Sequence, residues 1–193
     1  LLSRGLGDVY KRQGLYYIQE VIKMLDKKVV ELLNDQVNKE FYSAYLYLDF
    51  ANYYKDNGLD GFANWYNIQA QEERDHAILF VQYLQNNNAK VTLEAIDKPD
   101  KEYTKLNDPL IYGLEHEEYV TSLIHNLYDA AYSLKDFRTM QFLDWFVKEQ
   151  GEEETNANDL ITKFNLFGSD SRSLYLLDSE LAARVYNAPS LVL

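Results

Sequence analysis

Apolar side chains recur at spacings of three and four residues in four long stretches of this 193-residue chain. That spacing is the period of an amphipathic α-helix. It predicts helices over about residues 26–54, 60–84, 108–133 and 139–166. Each would be about 40 Å long at about 1.5 Å per residue. The pattern therefore restricts the chain to an all-α fold built from long helices.

The connections between these helices differ in length, and the difference limits how they can be arranged. Asn57 and Gly58 end the first helix in a tight turn, and a second tight turn lies near Asp136. Residues 89–106, between the second and third helices, contain Pro99 and show no helical period. Helices joined by a short, a long and a short connection form a four-helix bundle with one long crossover.

A short fifth helix is predicted near the C-terminal end of the sequence. Polar residues at 169–173 can cap its first turn, and it would end near Arg184. Leu174, Leu177 and Leu181 fall on one side of it. So short a helix is not stable alone, and we expect these leucines to be buried against the bundle or a second subunit.

The composition excludes several classes of protein. The chain has no cysteine, which excludes a disulfide scaffold, a cysteine-ligated zinc or iron–sulfur site and a thiol nucleophile. Its net charge of −12 disfavours nucleic acid as a partner and favours cations. No apolar run approaches the roughly 20 residues that cross a bilayer. We expect a soluble cytoplasmic protein with neither a nucleic-acid nor a membrane partner.

Residues 1–23 differ in character from the rest of the sequence. Residues 3–13 resemble the translation of a sequencing-library adaptor, and codons for residues 19–21 can contain a bacterial ribosome-binding sequence. That stretch lies at a suitable distance before Met24. We expect residues 1–23 to be non-native read-through and residues 24–193 to form one domain; the alternative is a disordered natural extension or an expression tag.

Each of the four long helices carries a glutamate on its apolar stripe. A lone glutamate in such a place usually reaches solvent. Four helices that each show one are a different case, because an unpaired buried carboxylate is costly and is neutralised or ligated. The residues, with two polar neighbours on the same stripes, are Glu40, Glu73, His76, Glu117, Gln150 and Glu153.

The positions of these residues relative to the two tight turns place them in one layer. Glu40 and His76 lie at equal distances in sequence from the first turn, and Glu117 and Glu153 lie at nearly equal distances from the second. In an antiparallel hairpin, residues equidistant from the turn face one another. One mid-bundle layer is therefore expected to collect both groups.

The residue types in this layer indicate a metal site. Glu73 and His76, three residues apart, share one helix face and can offer a carboxylate and an imidazole to the same ion. Carboxylate-rich sites with one imidazole suit Fe²⁺ or Mn²⁺, whereas zinc prefers more nitrogen or sulfur. Two metals can share a carboxylate such as Glu73, and we expect a two-metal centre.

Several segments of the sequence resemble the non-haem ferritins of bacteria: residues 33–40, 71–76, 116–117 and 145–154. The resemblance covers about Met24 to Arg184. It implies a ferritin-like bundle in a homo-oligomeric cage of 24 subunits, each holding a di-iron domain over residues 24–193. It also implies ferroxidase activity, in which O₂ or peroxide oxidises Fe²⁺, and storage of the product as ferric oxyhydroxide.

The resemblance assigns roles to particular positions. Seven match the family's di-iron centre: Glu40, Tyr47, Glu73, His76, Glu117, Gln150 and Glu153. Residues that match Glu40, Glu73 and His76 hold one iron, and those that match Glu73, Glu117 and Glu153 hold the second. Gln150 lies beside the second iron, and Tyr47 matches a tyrosine next to the centre.

The resemblance also implies a third, outer iron site, formed by the residues that match Glu72, Glu149, Glu152 and Glu153. Trp145 matches a nearby electron donor. Gly151 lies in the middle of the fourth helix beside this group, where glycine costs roughly 1 kcal/mol relative to alanine. It either leaves room beside the outer site or has no role there.

Related families differ from this chain at identifiable positions. Bacterioferritins carry a second Glu-x-x-His motif where this chain has Gln150 and Glu153, and a haem-ligating methionine where it has Arg74. We therefore expect iron and no haem. Mini-ferritins that bind DNA place iron between subunits, and rubrerythrins need cysteines.

Two other functions remain open at this point. One is a di-iron oxidase or peroxidase on the same bundle that does not store iron. The other is a metal-free helical structural protein, which is disfavoured because it leaves the four buried glutamates without partners.

Overall fold

The computed structural model of the chain describes residues 24–193, and five helices lie within this range. They are α1 (Lys27–Asp56), α2 (Asp60–Asn86), α3 (Asp108–Ser133), α4 (Phe137–Phe167) and α5 (Ser171–Leu181). The predicted all-α class, the tight turns and the long crossover are confirmed. The expectation for residues 1–23 lies outside the described residues.

Local side-chain chemistry explains where the helices begin and end. Asp26, Asp136 and Asp170 accept hydrogen bonds from main-chain N–H groups in the first turns of α1, α4 and α5, which satisfies donors that a helix leaves free at its start. Gly58, between α1 and α2, has a φ of 74°. Glycine adopts this left-handed conformation without steric cost, so the hairpin can turn within a few residues.

The long helices pair as two hairpins, α1 with α2 and α3 with α4, and the hairpins meet between α1 and α3. On the other side of the bundle α2 and α4 approach through aromatic side chains, such as Phe80 and Phe146 with ring centroids 4.3 Å apart. The crossover lies along α1, where Asn34 donates to Lys90 O and accepts from Thr92 N. These bonds satisfy main-chain groups of a segment that has no helical partners of its own.

The apolar core is divided into two halves. One half is built around Leu33, Phe80, Ile124, Leu143 and Phe146. The other is built around Phe50, Tyr54, Phe62, Leu110 and Leu160. Each fully buried side chain of this kind contributes about 1.5–3 kcal/mol to folding. The polar residues that the sequence places at mid-helix lie between the halves, so the bundle holds them in position from both sides.

Helix α5 packs across the ends of α2 and α4. Leu177 and Leu181 are buried as predicted, and Leu174 is half-buried. The Asp178 carboxylate accepts hydrogen bonds from Gly61 N at 2.8 Å and from Phe62 N at 3.0 Å, at the start of α2. None of the helices described between residues 24 and 193 is long and apolar enough to cross a membrane.

Candidate metal centre

Six polar side chains from the four long helices meet between the two halves of the core. All six are between 1% and 6% exposed, which is unusual for ionisable groups that lack a partner. Helix α1 supplies one of them, α2 two, α3 one and α4 two. They are Glu40, Glu73, His76, Glu117, Gln150 and Glu153.

The first hairpin supplies a compact set of possible ligands. Glu40, Glu73 and His76 each offer one atom, and these atoms lie within 4.8 Å of one another. His76 Nδ1 is 3.6 Å from Glu73 Oε2, as their spacing on one helix face predicts. Within the described residues, this is the only group of three or more acidic, histidine or cysteine side chains that meets this distance.

The second hairpin brings Glu117, Gln150 and Glu153 to the same layer, but there the protein provides hydrogen bonds. Gln150 Nε2 donates to Glu117 Oε2 at 3.1 Å. The Tyr47 hydroxyl donates to the other oxygen of Glu117. Glu153 Oε2 accepts from Gln69 Nε2 at 2.9 Å. The structure therefore brings all seven predicted centre residues together.

Two glutamines of this network are not among the predicted site residues. Gln36 donates to Glu40 Oε1 at 2.7 Å, and Gln69 donates to Glu153 across the bundle. Gln36 lies four residues before Glu40, and Gln69 lies four before Glu73. Residues at this spacing share a helix face, so the signal for both was present in the sequence.

Two carboxylate oxygens of the first hairpin have no hydrogen-bond partner among the described residues: Glu40 Oε2 and Glu73 Oε1. A buried acceptor without a partner costs about 1–3 kcal/mol, and more if it is charged. Coordination of a cation removes this cost. The set of carboxylate oxygens and one imidazole nitrogen fits Fe²⁺, so the residues present suit the ion that the sequence predicts.

Burial and mutual repulsion raise the pKa values of these carboxyl groups. Burial raises the pKa of Glu40 well above its usual range, and Glu73 adds to the effect. Burial, then Glu117, raises the pKa of Glu73; the same two causes raise that of Glu153 to about 8. Burial also raises the pKa of Glu117. The cluster therefore holds protons near neutral pH, and a bound cation displaces them.

The outer carboxylates are arranged differently. Glu149 Oε1 is 3.9 Å from His76 Nε2, and Glu152 is exposed. Glu72 Oε2 accepts a hydrogen bond of 2.7 Å from Arg184, a residue beyond α5. Glu72, Glu149 and Glu152 are not among the described residues whose ligand atoms meet within 4.8 Å. Their role in an outer iron site stays a prediction.

Aromatic side chains of α4 pack against the centre. The Trp145 ring lies 5.5 Å from the His76 ring, and the Phe146 ring lies 5.9 Å from it, both nearly edge-on. These rings pack against His76 and limit the orientations that its imidazole can adopt. On the other side, Tyr47 and Tyr66 have ring centroids 5.6 Å apart.

A ferritin-like domain family matches residues 30–167. The chain belongs to the ferritin family. This ferritin-family chain is 40% identical over 164 residues to the bacterial non-heme ferritin of Staphylococcus saprophyticus, covering 85% of the chain and 98% of that protein. It is 38% identical over 155 residues to the bacterial non-heme ferritin of Campylobacter jejuni, and the match covers 80% of this chain and 93% of that protein.

Solved structures agree with this result. An open pore ferritin from the hyperthermophilic archaeon Archaeoglobus fulgidus is 42% identical to the ferritin-family chain and superimposes with a TM-score of 0.82. The match covers 84% of this chain and 99% of that one. The predicted resemblance to bacterial non-haem ferritins is confirmed, as are the ferritin-like bundle with its short fifth helix and iron storage as the general function.

Proposed function

We propose that this ferritin-family chain oxidises Fe²⁺ at the mid-bundle layer, with O₂ or peroxide as oxidant, and stores the ferric product as a mineral. Iron is the substrate of this reaction and also the cargo. The observation that supports the proposal best is the convergence of Glu40, Glu73 and His76 within 4.8 Å, together with two buried carboxylate oxygens that lack other described partners.

The layer offers ligands for two ions, and Glu73 would serve both. Glu40, Glu73 and His76 would hold the first, and Glu73, Glu117 and Glu153 the second. Glu73 belongs to the ligand set of the first hairpin, and the resemblance matches it to a residue that holds both irons. Glu73 is therefore the carboxylate that both ions would share.

The reaction balances with two ions in each subunit. Each Fe²⁺ gives up one electron, so two ions reduce one O₂ to H₂O₂ with two protons, or one H₂O₂ to two waters with two protons. The cluster holds protons because burial raises its pKa values, and it releases them when cations bind. The protons that the ligands release when iron binds can therefore supply those that reduction of the oxidant consumes.

The remaining residues of the layer orient the ligands. Gln36 fixes one oxygen of Glu40, and Gln150 and Tyr47 fix both oxygens of Glu117. Partners of this kind maintain ligand geometry, and losing one typically costs about 10- to 100-fold in metal affinity or activity. Gln150 and Tyr47 would also lie next to the second ion.

The assembly we propose is a cage of 24 copies in the cytoplasm. The support is the family and the match to a solved open pore ferritin. The surface agrees, because Tyr45, Leu48 and Ile96 are large exposed apolar residues that line one shallow cavity. Clustered exposed apolar side chains mark sites of protein association.

The test is stopped-flow oxidation at two Fe²⁺ per subunit. Glu73→Ala should abolish the fast initial phase, because both ions lose a ligand. Glu118→Ala, at an exposed glutamate on α3, is the matched control and should keep the wild-type rate. A wild-type initial rate in Glu73→Ala would place the centre elsewhere.

Storage is tested separately from oxidation. After aerobic loading with excess Fe²⁺, size-exclusion chromatography and electron microscopy should show cages that contain mineral. Rapid oxidation without mineral in the particles would instead identify an oxidase or peroxidase that does not store iron.

A further inference from the structure

The segment that follows α5, residues 182–193, returns along the groove between α2 and α4. Asn64 on α2 donates to the carbonyl of Arg184 at 3.1 Å. Trp145 Nε1 on α4 donates to Ser190 Oγ at 2.9 Å. Tyr186 donates to Asp75 on α2, and Leu191 packs against one half of the apolar core. The segment is therefore attached to both helices along most of its length.

Arg184 is the one cation that this segment brings to the outer carboxylates. One guanidinium nitrogen donates to Glu72 Oε2 at 2.7 Å, and the two side chains are only 18% and 17% exposed. A second nitrogen donates to Trp65 O at 3.2 Å. The guanidinium carbon lies 4.1 Å from the centroid of the Trp65 ring, a cation–π contact. Three kinds of contact thus hold the same charge in one place.

The space in front of Arg184 leads to the centre. A cavity of about 400 Å³ lies between the segment and the two helices. Its walls include Glu72, His76, Glu149 and Glu152 on the helices and Arg184 on the segment. Three of these wall residues, Glu72, Glu149 and Glu152, are ones by which the resemblance implies an outer iron, and the guanidinium contacts the first of them.

We propose that Arg184 takes the place of the outer iron, so that each subunit binds two iron ions rather than three. The inference rests on the proposed iron function of the layer. Arginine keeps its charge at all physiological pH values, and its bond to Glu72 occupies one of the lone pairs that a third ion would need. A divalent ion at Glu72 would also lie beside the guanidinium and be repelled by it. Arg184 is therefore a specificity-determining residue that sets the number of ions, and it takes no part in the chemistry.

The experiment counts ions in the metal-free, full-length protein by anaerobic calorimetric titration with Fe²⁺. The wild type should bind two ions per subunit, and Arg184→Ala should bind three. Arg172→Ala removes the same charge from an exposed position on α5 and should still bind two. Arg184→Ala combined with Glu72→Gln should return to two, because Glu72 is the ligand that the substitution frees. A merely structural role for Arg184 predicts no added ion.

The other outcomes overturn the inference in distinguishable ways. Two ions in both the wild type and Arg184→Ala would overturn it while leaving the two-ion centre intact. Three ions in the wild type would also overturn it. Fewer than two ions in the wild type would reject the proposed centre and the inference together. If Arg184→Ala does not fold, Glu72→Gln alone decides: two ions are expected, and any loss relative to the wild type would show that Glu72 already binds iron.

Discussion

The two hairpins contribute to the same polar layer in different ways. Glu40 and Glu73 of the first hairpin each keep an oxygen with no partner among the described residues. Glu117 of the second receives hydrogen bonds on both oxygens, and Glu153 receives one from Gln69. The carboxylates of the first hairpin therefore lack hydrogen-bond donors or a positive charge. Those of the second hairpin already receive hydrogen bonds from the protein. We infer that a cation binds first to the first hairpin, since at the second it must compete with existing hydrogen bonds.

The largest expected effect is on the rate of Fe²⁺ oxidation, and it should distinguish two histidines that lie near the layer. His76 belongs to the ligand set of the first hairpin. His116 instead forms a hydrogen bond with Ser43 Oγ at 2.7 Å, and burial lowers the pKa of His116 to about 4. His76→Ala should slow initial Fe²⁺ oxidation by more than the roughly 10- to 100-fold that the loss of an orienting partner costs. His116→Ala should slow it by less. Equal loss in both variants, measured by stopped flow, would remove the distinction between ligand and neighbour.

The next effect is the pH dependence of the metal-free protein. Burial and Glu117 raise the pKa of Glu153 from the ordinary 4.5 to about 8, so the folded state binds a proton that the unfolded state has released between these values. Stability should therefore be highest below about pH 4.5, as far as this group decides it, and fall as pH rises toward 8. The lowered pKa of His116 opposes this trend below about pH 6.5, so we expect most of the decrease in Tm, roughly 4–8 °C, between pH 6.5 and pH 8.

The control for this prediction is the same series with saturating Fe²⁺ under anaerobic conditions. Metal ligation replaces the protons, so the decrease in Tm should disappear or reverse. A metal-free protein whose Tm rises steadily from pH 5 to pH 8 would contradict the assignment of raised pKa values to this layer.

A matched pair of substitutions tests the difference between the hairpins directly. Glu40→Gln removes a carboxyl group whose ionisation burial disfavours and offers an amide donor toward Glu73, so the Tm of the metal-free protein should rise by about 2–8 °C. Glu117→Gln places an amide N–H₂ against a group that already donates, either Tyr47 or Gln150, and should raise the Tm less or lower it. Differential scanning calorimetry of both variants decides; an equal rise in both would mean that charge alone matters and hydrogen bonding does not.

The smallest expected effect concerns Gly151, in the middle of α4. Apart from its chain neighbours and the backbone of its own helix turn, no described atom lies within 4 Å of the position that a Cβ would occupy there. Gly151→Ala should therefore stabilise α4 by about 1 kcal/mol, which raises the Tm by about 2–4 °C. Iron binding should be unchanged. A change in ion stoichiometry would instead show that the second hairpin needs a flexible backbone at this point.

The sequence was sufficient to predict which residues meet in the polar layer, because helical period and hairpin register are local properties. Glu40 and His76 could be placed opposite each other once the turn at Gly58 was recognised. Position within a helix does not reveal which carboxylate oxygens lack a hydrogen bond. Gln69, for example, lies on the same helix face as Glu73 but donates to Glu153. That choice depends on rotamers and on the packing of four helices together.

The segment beyond α5 could not be predicted in this way. It has no periodic pattern, and single side chains far apart in sequence, such as Arg184 with Glu72 and Trp145 with Ser190, hold it in place. The resemblance pointed to Glu72 as an outer ligand, but the position of Arg184 became evident only from the fold. Contacts of this kind leave no signal at a fixed spacing.

The ligand set that we propose for the layer draws on all four long helices, and iron bound there would link the lifetime of the protein to its cargo. An unfolded chain does not assemble the set, so every bound ion favours the folded state, by about 2.7 kcal/mol when the ion is present at 100 times its Kd. Local opening of the bundle, which exposes a chain to proteases, becomes rarer as the ion concentration increases. Iron scarcity should therefore shorten the survival of the protein itself, so that degradation removes storage capacity when there is least iron to store.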